Sequence, residues 1–86
     1  MEGLLDRDAL RLRFEAEDVD PRAVEMDGGF ADEAYVLEPQ AVGCAVYYAE
    51  RGLRSGERLF ASEHDACLYL LDIVLKDPTT RRNRWP

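Results

Sequence analysis

Both ends of the chain show the periodicity of an amphipathic helix. In residues 5–17 apolar side chains recur at intervals of three and four, after an aspartate, Asp6, that suits a helix N-cap. In residues 62–76 a broader apolar stripe follows Ser62 and Asp65, which have the spacing of a capping box with aspartate in place of glutamate. An Asp-Pro pair follows each segment and ends the helix, because the residue before proline avoids the α conformation. The pattern predicts one helix at each end.

The middle of the chain is typical of short β-strands. Its apolar runs are rich in β-branched and aromatic residues, and turns that contain glycine separate them. The predicted strands are residues 34–38, 44–50 and 57–61, with a weaker fourth strand at residues 23–26. The turn before the last strand is expected at residues 51–56. Connections of hairpin length predict that neighbouring strands are antiparallel.

These elements predict the fold class. The chain has 86 residues, which is enough for one domain. An apolar helix stripe has to be buried, and one face of a sheet is the natural surface to receive it. We therefore expect an α+β fold: a small antiparallel sheet of three to four strands with the N- and C-terminal helices packed on one face, in the order α-β-β-β-β-α or α-β-β-β-α. The single domain is placed at residues 1–80 and a basic C-terminal tail at residues 81–86.

The composition argues against several classes of partner. The chain has 18 acidic and 11 basic side chains and a net charge of -7. Nucleic acids and anionic membrane surfaces attract basic proteins, so we expect neither as a partner. The sequence has no apolar stretch of the ~18–20 residues that a membrane span needs and no secretory signal at its N-terminus. We expect a cytoplasmic protein.

The negative charge is concentrated in the first half of the chain. Residues 1–43 carry 12 acids and 4 bases, whereas residues 44–86 carry 6 acids and 7 bases. Most acids of the first half lie in predicted loops and at the ends of elements, where their field would steer a basic partner. The residues predicted to steer are Glu17, Asp18, Asp20, Asp27, Asp32 and Glu33. The alternative interpretation is an acidic surface that only keeps the protein soluble.

A second candidate surface is the hairpin at residues 47–54. Tyrosine and arginine are enriched at the hot spots of protein interfaces. One of the two adjacent tyrosines has to face away from the helices, because neighbours on a strand alternate. We predict Tyr47, Glu50 and Arg51 as anchors for a partner. In the alternative interpretation the outward tyrosine only covers its face of the sheet.

Recognisable catalytic and cofactor motifs are absent from the sequence. The one histidine, His64, and the two cysteines, Cys44 and Cys67, do not have the spacing of a zinc site. The glycines lack the strand–helix context and the lysine of a phosphate-binding loop. We expect no cofactor, no bound metal and no catalytic residue. The cysteines are expected to be buried free thiols, with a single disulfide between them left open.

Three stretches of the chain resemble a group of small bacterial proteins. They are YVLE at residues 35–38, AVYYAERG at residues 45–52 and LFASEHDAC at residues 59–67. The group has a VYYxERG strand and turn followed by an F-x-S/T-E-x-x-A-C helix start, and it looks like immunity proteins of polymorphic toxin systems. Ala49 stands where serine is expected. The similarity covers residues 6–80, and its motifs are structural rather than catalytic.

The resemblance implies a cytoplasmic protein that is not an enzyme and that binds and blocks a cognate toxin domain. Together with the charge layout it predicts occlusion: the acidic surface docks on a basic active-site cleft of the toxin, and its carboxylates occupy sites meant for phosphates. The oligomeric state is left open. Two alternatives are kept: a generic adaptor or homodimer built on an exposed sheet edge, and a small enzyme that uses His64 with a nearby carboxylate.

Overall fold

A computed structural model describes residues 5–29 and 31–82 of the chain. In chain order its elements are α1 (Arg7–Ala16), a 3-10 helix (Pro21–Ala23), β1 (Val24–Glu25), β2 (Ala34–Pro39), β3 (Cys44–Glu50), β4 (Leu53–Phe60), α2 (Glu63–Leu75) and a second 3-10 helix (Pro78–Thr80). The predicted α+β class and the order α-β-β-β-β-α are confirmed. The four-strand version of the prediction is the one that the protein adopts.

The two helices begin where the sequence places their caps. The Asp6 carboxylate accepts a hydrogen bond of 2.8 Å from the backbone N–H of Ala9. The Ser62 hydroxyl accepts one of 3.1 Å from the backbone N–H of Asp65. Each bond satisfies an N–H that the first turn of a helix would leave without a partner. Neither described helix combines the length and the apolar character that crossing a lipid bilayer requires.

The sheet is mixed and has the strand order β1-β2-β3-β4. The pairs β2–β3 and β3–β4 are antiparallel, as predicted, but β1 runs parallel to β2, with Val24 beside Tyr35. The prediction that all neighbours are antiparallel was therefore wrong for β1. A strand of two residues is only about 7 Å long, so the chain has to return over only a short distance between Glu25 and Ala34 before β2 starts parallel to β1.

The strand β4 begins four residues earlier than the sequence predicts. The β3–β4 turn consists of Arg51 and Gly52 alone, both with positive φ (55° and 80°), which suits the right-handed twist of a tight hairpin. The predicted turn at residues 51–56 was wrong because Gly56 belongs to the strand instead. Gly56 also has positive φ, and the β3–β4 register shifts between Val46 and Tyr48. The residue that resembles a turn glycine therefore lies in an irregular stretch of an extended strand.

The main core lies between the two helices and one face of the sheet, as predicted. It joins Leu10 and Phe14 of α1 to Leu70 and Val74 of α2 and to Leu37 of β2. The opposite face carries a smaller cluster, and no described helix residue packs against it. That cluster consists of Val36, Ala45, Tyr47 and Ala49, with Ala31 beside it. The alternation of β3 between the two faces follows the prediction.

Both cysteines are buried free thiols in the main core. No disulfide joins Cys44 to Cys67, so the structure decides the alternative that the sequence leaves open. Burial in apolar surroundings raises the pKa of Cys67 to about 12, because it disfavours the charged thiolate.

The end of the described chain pairs with the segment that follows α1. The backbone N–H of Asp20 donates to the carbonyl of Thr80 at 2.7 Å, and that of Arg82 donates to the carbonyl of Asp18 at 2.9 Å. Val19 and Arg81 form the antiparallel bridge between these two bonds. The predicted boundary at residue 80 falls inside this pairing, and the rest of the predicted tail, residues 83–86, lies outside the described residues.

Candidate functional site

A cleft opens beside the free edge of β1. Among the described strands β1 pairs only with β2, and on its helix side the space between β1 and α1 forms a cleft of about 400 Å³, here called the β1 cleft. Its floor is apolar and consists of Phe14, Val19, Val24 and Met26. Three of these side chains are at most 6% exposed, so the floor is part of the main core.

The rim of the β1 cleft is charged. It carries four carboxylates and two guanidinium groups, which are those of Glu15, Asp20, Glu25, Asp27, Arg11 and Arg82. The carboxylates outnumber the cations by two, so the rim has a negative excess at neutral pH. A second depression of about 370 Å³ beside β1 is also lined by Glu25, together with Asp32 and Arg22, whose charges balance.

Two interactions with Arg22 hold the Asp20 carboxylate on the rim. One oxygen caps the first 3-10 helix by accepting from the backbone N–H of Arg22 at 2.9 Å, and the other forms an ion pair of 3.0 Å with the Arg22 guanidinium. These hydrogen bonds lower the pKa of Asp20 below its ordinary value, and the charge of Arg82 acts in the same direction. Asp20 is therefore a fixed negative charge at neutral pH.

The other end of the cleft is built around Glu25. Its Oε2 accepts from the backbone N–H of Asp27 at 2.8 Å and of Gly29 at 3.1 Å, so the carboxylate organises the turn after β1. Asp27 lies in this turn, and its Oδ1 is 2.8 Å from the guanidinium of Arg11 on α1. This ion pair connects the two walls of the cleft.

Glu15 differs from the other rim acids in that its carboxylate has no bonding partner among the described residues. It is exposed on α1, and its side chain makes no hydrogen bond or ion pair within residues 5–29 and 31–82. Helical spacing places it one turn after Arg11 and next to the buried Phe14. Its charge is thus available to a group that enters the cleft.

The predicted steering residues fall into two groups in space. Asp20 and Asp27 lie on the rim of the β1 cleft. Glu17 and Asp18 lie in the turn that follows α1, with Glu17 3.9 Å from Arg13 and Asp18 in the left-handed region at φ 64°. These four residues belong to one side of the molecule, around the segment that joins α1 to β1.

The remaining predicted residues gather at the β3–β4 turn. Asp32 accepts a hydrogen bond of 2.7 Å from the backbone N–H of Arg51, which joins the loop before β2 to this turn. Glu33 is exposed at φ 55°, and Glu50 and Arg51 are exposed at the end of β3. Asp32 and Arg51, which the sequence assigns to separate surfaces, are therefore in contact.

Tyr47, predicted as an anchor, faces away from the helices but is only 9% exposed. The guanidinium carbon of Arg54 lies 4.2 Å from the centre of its ring. Arg54 also donates to both carboxylate oxygens of Glu38 at 3.2 Å and to Glu57 at 3.1 Å. Burial raises the pKa of the Tyr47 phenol. The ring therefore covers its own face of the sheet, and Arg54, which is paired with Glu38 and Glu57, covers the ring.

His64 has a structural partner. Its Nδ1 accepts a hydrogen bond of 2.7 Å from the backbone N–H of Leu5, and the adjacent Glu63 accepts one of 2.8 Å from the backbone N–H of Arg7. The first turn of α2 therefore holds the start of α1. His64 does not line the β1 cleft. Within the described residues no group of three or more histidine, cysteine or acidic side chains is arranged to hold a metal ion.

Sequence reasoning did not single out four rim residues: Arg11, Glu15, Glu25 and Arg82. For Glu15 a signal exists, because it lies four residues after Arg11 on the helix flank next to Phe14. For Arg82 the sequence has no comparable signal, since its position depends on the pairing of the C-terminal segment with residues 18–20.

Comparison with known proteins gives no match: no family model, no curated protein and no solved structure is significantly similar to this chain.

Proposed function

We propose that this chain is an immunity-type protein without enzymatic activity, which acts in the cytoplasm and neutralises a cognate bacterial toxin domain by occluding its basic active-site cleft. The observation that carries the proposal is the β1 cleft, where four carboxylates and two guanidinium groups surround an apolar floor at a free sheet edge. The resemblance of three stretches of the chain to immunity proteins supports the same function.

Electrostatics would bring the two proteins together. The chain has a net charge of -7, and the acids around β1 belong to its more acidic half. A field of this sign raises the rate at which a basic surface reaches it and orients that surface before contact. A toxin that acts on nucleic acid or nucleotides needs a basic cleft to hold phosphates, so it would present such a surface.

Carboxylates can also replace phosphates at contact. Arginine and lysine side chains that bind phosphate oxygens bind carboxylate oxygens with the same charge-assisted geometry. Asp20 and Asp27 are held in place by their own hydrogen bonds and ion pairs before any partner arrives. Such preorganisation lowers the entropy that binding costs.

The proposal is tested with the C-terminal domain of a secreted protein encoded next to this chain. Co-expression is expected to rescue cells from that domain, and the purified pair is expected to associate about three- to tenfold more slowly when NaCl rises from about 50 to about 500 mM. Glu15→Lys is expected to slow association further. Asp72→Lys is the control, because it makes the same change of charge at an exposed acid on α2 outside the cleft; unlike Glu15, Asp72 has a surface ion pair, to Lys76 at 3.2 Å.

Two results would contradict the proposal. One is a lack of any complex with the neighbouring domain. The other is an association rate that does not depend on salt or on Glu15→Lys, which would remove the acidic rim from the mechanism.

A second candidate, a homodimeric interaction domain, is favoured by β4. This edge strand has eight residues, of which seven are exposed, including Leu53 (72%) and Leu59 (70%). Exposed edges of this length are available to pair with another copy, although Arg54, Glu57 and Arg58 are the kind of charges that oppose such pairing. Light scattering of the isolated protein separates the two: a stable dimer favours the homodimer, and a monomer favours the toxin inhibitor.

A further inference from the structure

The β1 cleft matches a ligand with an apolar stem and a charged end. Its floor is formed by core side chains, and its rim carries the charges. A purely apolar side chain in the cleft would take water away from the carboxylates without replacing its hydrogen bonds, which is costly. An anion would meet the carboxylate excess. A long cationic side chain satisfies both parts, because its methylene groups can lie on the floor while its head stays at the rim.

The charge balance of the rim leaves room for one more cation. Arg11 is paired with Asp27 at 2.8 Å and Arg22 with Asp20 at 3.0 Å, so Glu15, Glu25 and Arg82 remain and leave an excess of one negative charge. The Glu15 side chain has no hydrogen bond or ion pair in the described part of the chain. The Glu25 side chain accepts hydrogen bonds from the backbone N–H groups of Asp27 and Gly29, both at Oε2. Within residues 5–29 and 31–82, neither Glu15 on the α1 wall nor Glu25 on the β1 wall forms an ion pair with a guanidinium.

The protein's own arginines show how a guanidinium fits this rim. Arg11 donates to Asp27 at 2.8 Å and to Asp8 at 3.3 Å, so one planar head joins carboxylates from two sides. Arginine is also less strongly hydrated than lysine and presents a fork that matches a carboxylate. Both properties favour arginine over lysine in a cleft with an apolar floor.

We infer that the β1 cleft receives one arginine side chain of the partner, with its stem on Phe14, Val24 and Met26 and its guanidinium between Glu15 and Glu25. This inference rests on the proposed function, since the arginine would belong to the basic cleft of the toxin. It extends that proposal by naming one contact through which the two proteins bind.

The test does not need the toxin. The ¹⁵N-labelled protein is titrated with the capped peptide Ala-Gly-Arg-Gly-Ala and, as the control, with the same peptide carrying citrulline, which has nearly the same shape but no charge. The arginine peptide is expected to shift the backbone signals of Val19, Val24 and Met26, and the citrulline peptide is expected to leave them in place. Equal shifts with both peptides, or shifts spread over all exposed acids, would overturn the inference.

Two variants locate the contact. Glu15→Gln keeps the shape of the side chain and removes its charge, so it is expected to weaken the binding of the arginine peptide about two- to fivefold. Asp72→Asn makes the same change on α2, outside the cleft, and is expected to leave the affinity unchanged. Equal effects of the two variants would overturn the inference.

The experiments distinguish a failure of the cleft assignment from a failure of the proposed toxin inhibition. If the neighbouring domain binds and is neutralised but Glu15→Gln changes neither the peptide nor the toxin affinity, the cleft assignment is wrong and the inhibitor proposal stands. If the peptide binds in the cleft but no toxin domain is neutralised, the cleft assignment stands and the inhibitor proposal is wrong.

Discussion

The phenol of Tyr35 on β2 donates a hydrogen bond of 2.9 Å to the carboxylate of Asp77, which follows α2. The same carboxylate caps the second 3-10 helix, accepting from the backbone N–H of Thr79 at 3.0 Å and from its hydroxyl at 2.6 Å. Asp77 thus joins the end of α2 to the sheet. It also directs the chain towards the pairing of residues 80–82 with residues 18–20, and so places Arg82 on the rim of the β1 cleft.

Removing the Tyr35 hydroxyl should destabilise the fold. Tyr35→Phe is expected to lower the free energy of unfolding by about 1–2 kcal/mol, because it leaves a charged acceptor with one partner fewer. Urea denaturation measures the change. Tyr48→Phe is the matched control: the Tyr48 ring packs edge-on against Tyr35 at 4.9 Å, and its hydroxyl makes no hydrogen bond to another described residue. A control that loses as much stability as Tyr35→Phe would contradict this role.

The same contact predicts a loss of stability at alkaline pH. Burial, and then the hydrogen bond to Asp77, raise the pKa of Tyr35 to about 12 in the folded protein. The unfolded chain ionises near pH 10, so the stabilisation is complete below about pH 10 and decreases as the pH rises towards 12. Urea unfolding between pH 9 and pH 12 measures the decrease. In Tyr35→Phe the part of the decrease due to this residue should disappear.

Asp77 predicts a loss of stability at acid pH, because its pKa is lowered in the folded protein whereas that of Tyr35 is raised. Its hydrogen bonds, that from the Thr79 hydroxyl first, lower its pKa below the ordinary value of 3.8. The stabilisation is therefore present above about pH 4 and is lost as the pH falls below it. Asp77→Asn should show a smaller loss of stability between pH 5 and pH 2 than the unchanged protein, as measured by thermal unfolding. An equal loss would mean that other carboxylates account for the acid transition.

Gly43 should tolerate no side chain. It has φ 79°, and a Cβ built on it would collide with the backbone carbonyl oxygen of Phe60. Gly52 has nearly the same φ, 80°, but open space around it. Both alanine variants suffer from the left-handed backbone, and Gly43→Ala is expected to lose about 1–3 kcal/mol more because β4 must also move. Urea denaturation of the two variants measures the difference, and equal losses would argue against the collision.

His64 is expected to matter for stability through one acceptor atom. His64→Ala removes the Nδ1 that accepts from the backbone N–H of Leu5, and should lower the free energy of unfolding by about 1 kcal/mol. His64→Asn places an amide oxygen near the position of Nδ1 and should recover part of the loss. Hydrogen exchange of the Leu5 amide, measured by NMR, should rise in the alanine variant and less in the asparagine variant. If toxin neutralisation is lost in both variants while the fold is intact, His64 has a role beyond this bond.

Asp32 allows charge and structure to be separated. Its carboxylate accepts from the backbone N–H of Arg51 at 2.7 Å, and an asparagine oxygen can accept the same bond. Asp32→Asn should therefore change the free energy of unfolding by less than about 0.5 kcal/mol, whereas Asp32→Ala should lower it by about 1 kcal/mol. If Asp32 also steers a basic partner, both variants should slow association with the toxin domain to a similar degree. Unchanged association in both would restrict Asp32 to its structural role.

The elements that the sequence predicts well are those decided by near neighbours. The caps at Asp6 and Ser62 bond to backbone groups three residues away, and the helices follow from the spacing of apolar side chains. The placement of Tyr47 and Tyr48 on opposite faces follows from the alternation of a strand. These relationships depend on short stretches of backbone geometry, and the order of elements and the α+β class follow from them.

The β1 cleft depends instead on residues far apart in the chain. Arg11 reaches Asp27 across 16 positions on its rim; away from the cleft, Asp32 likewise meets Arg51 across 19 positions and Tyr35 meets Asp77 across 42. The contact of Arg54 with the Tyr47 ring could not be predicted either, because the sequence placed Arg54 in a turn and the structure places it in β4. The amino-acid sequence by itself determined the helices, the order of the elements and the alternation of β3 between the two faces of the sheet, because these arise from local periodicity. Only the tertiary structure decided the parallel partner of β1, the rim of its cleft and which acids remain unneutralised, because those depend on how distant segments pack together in three dimensions.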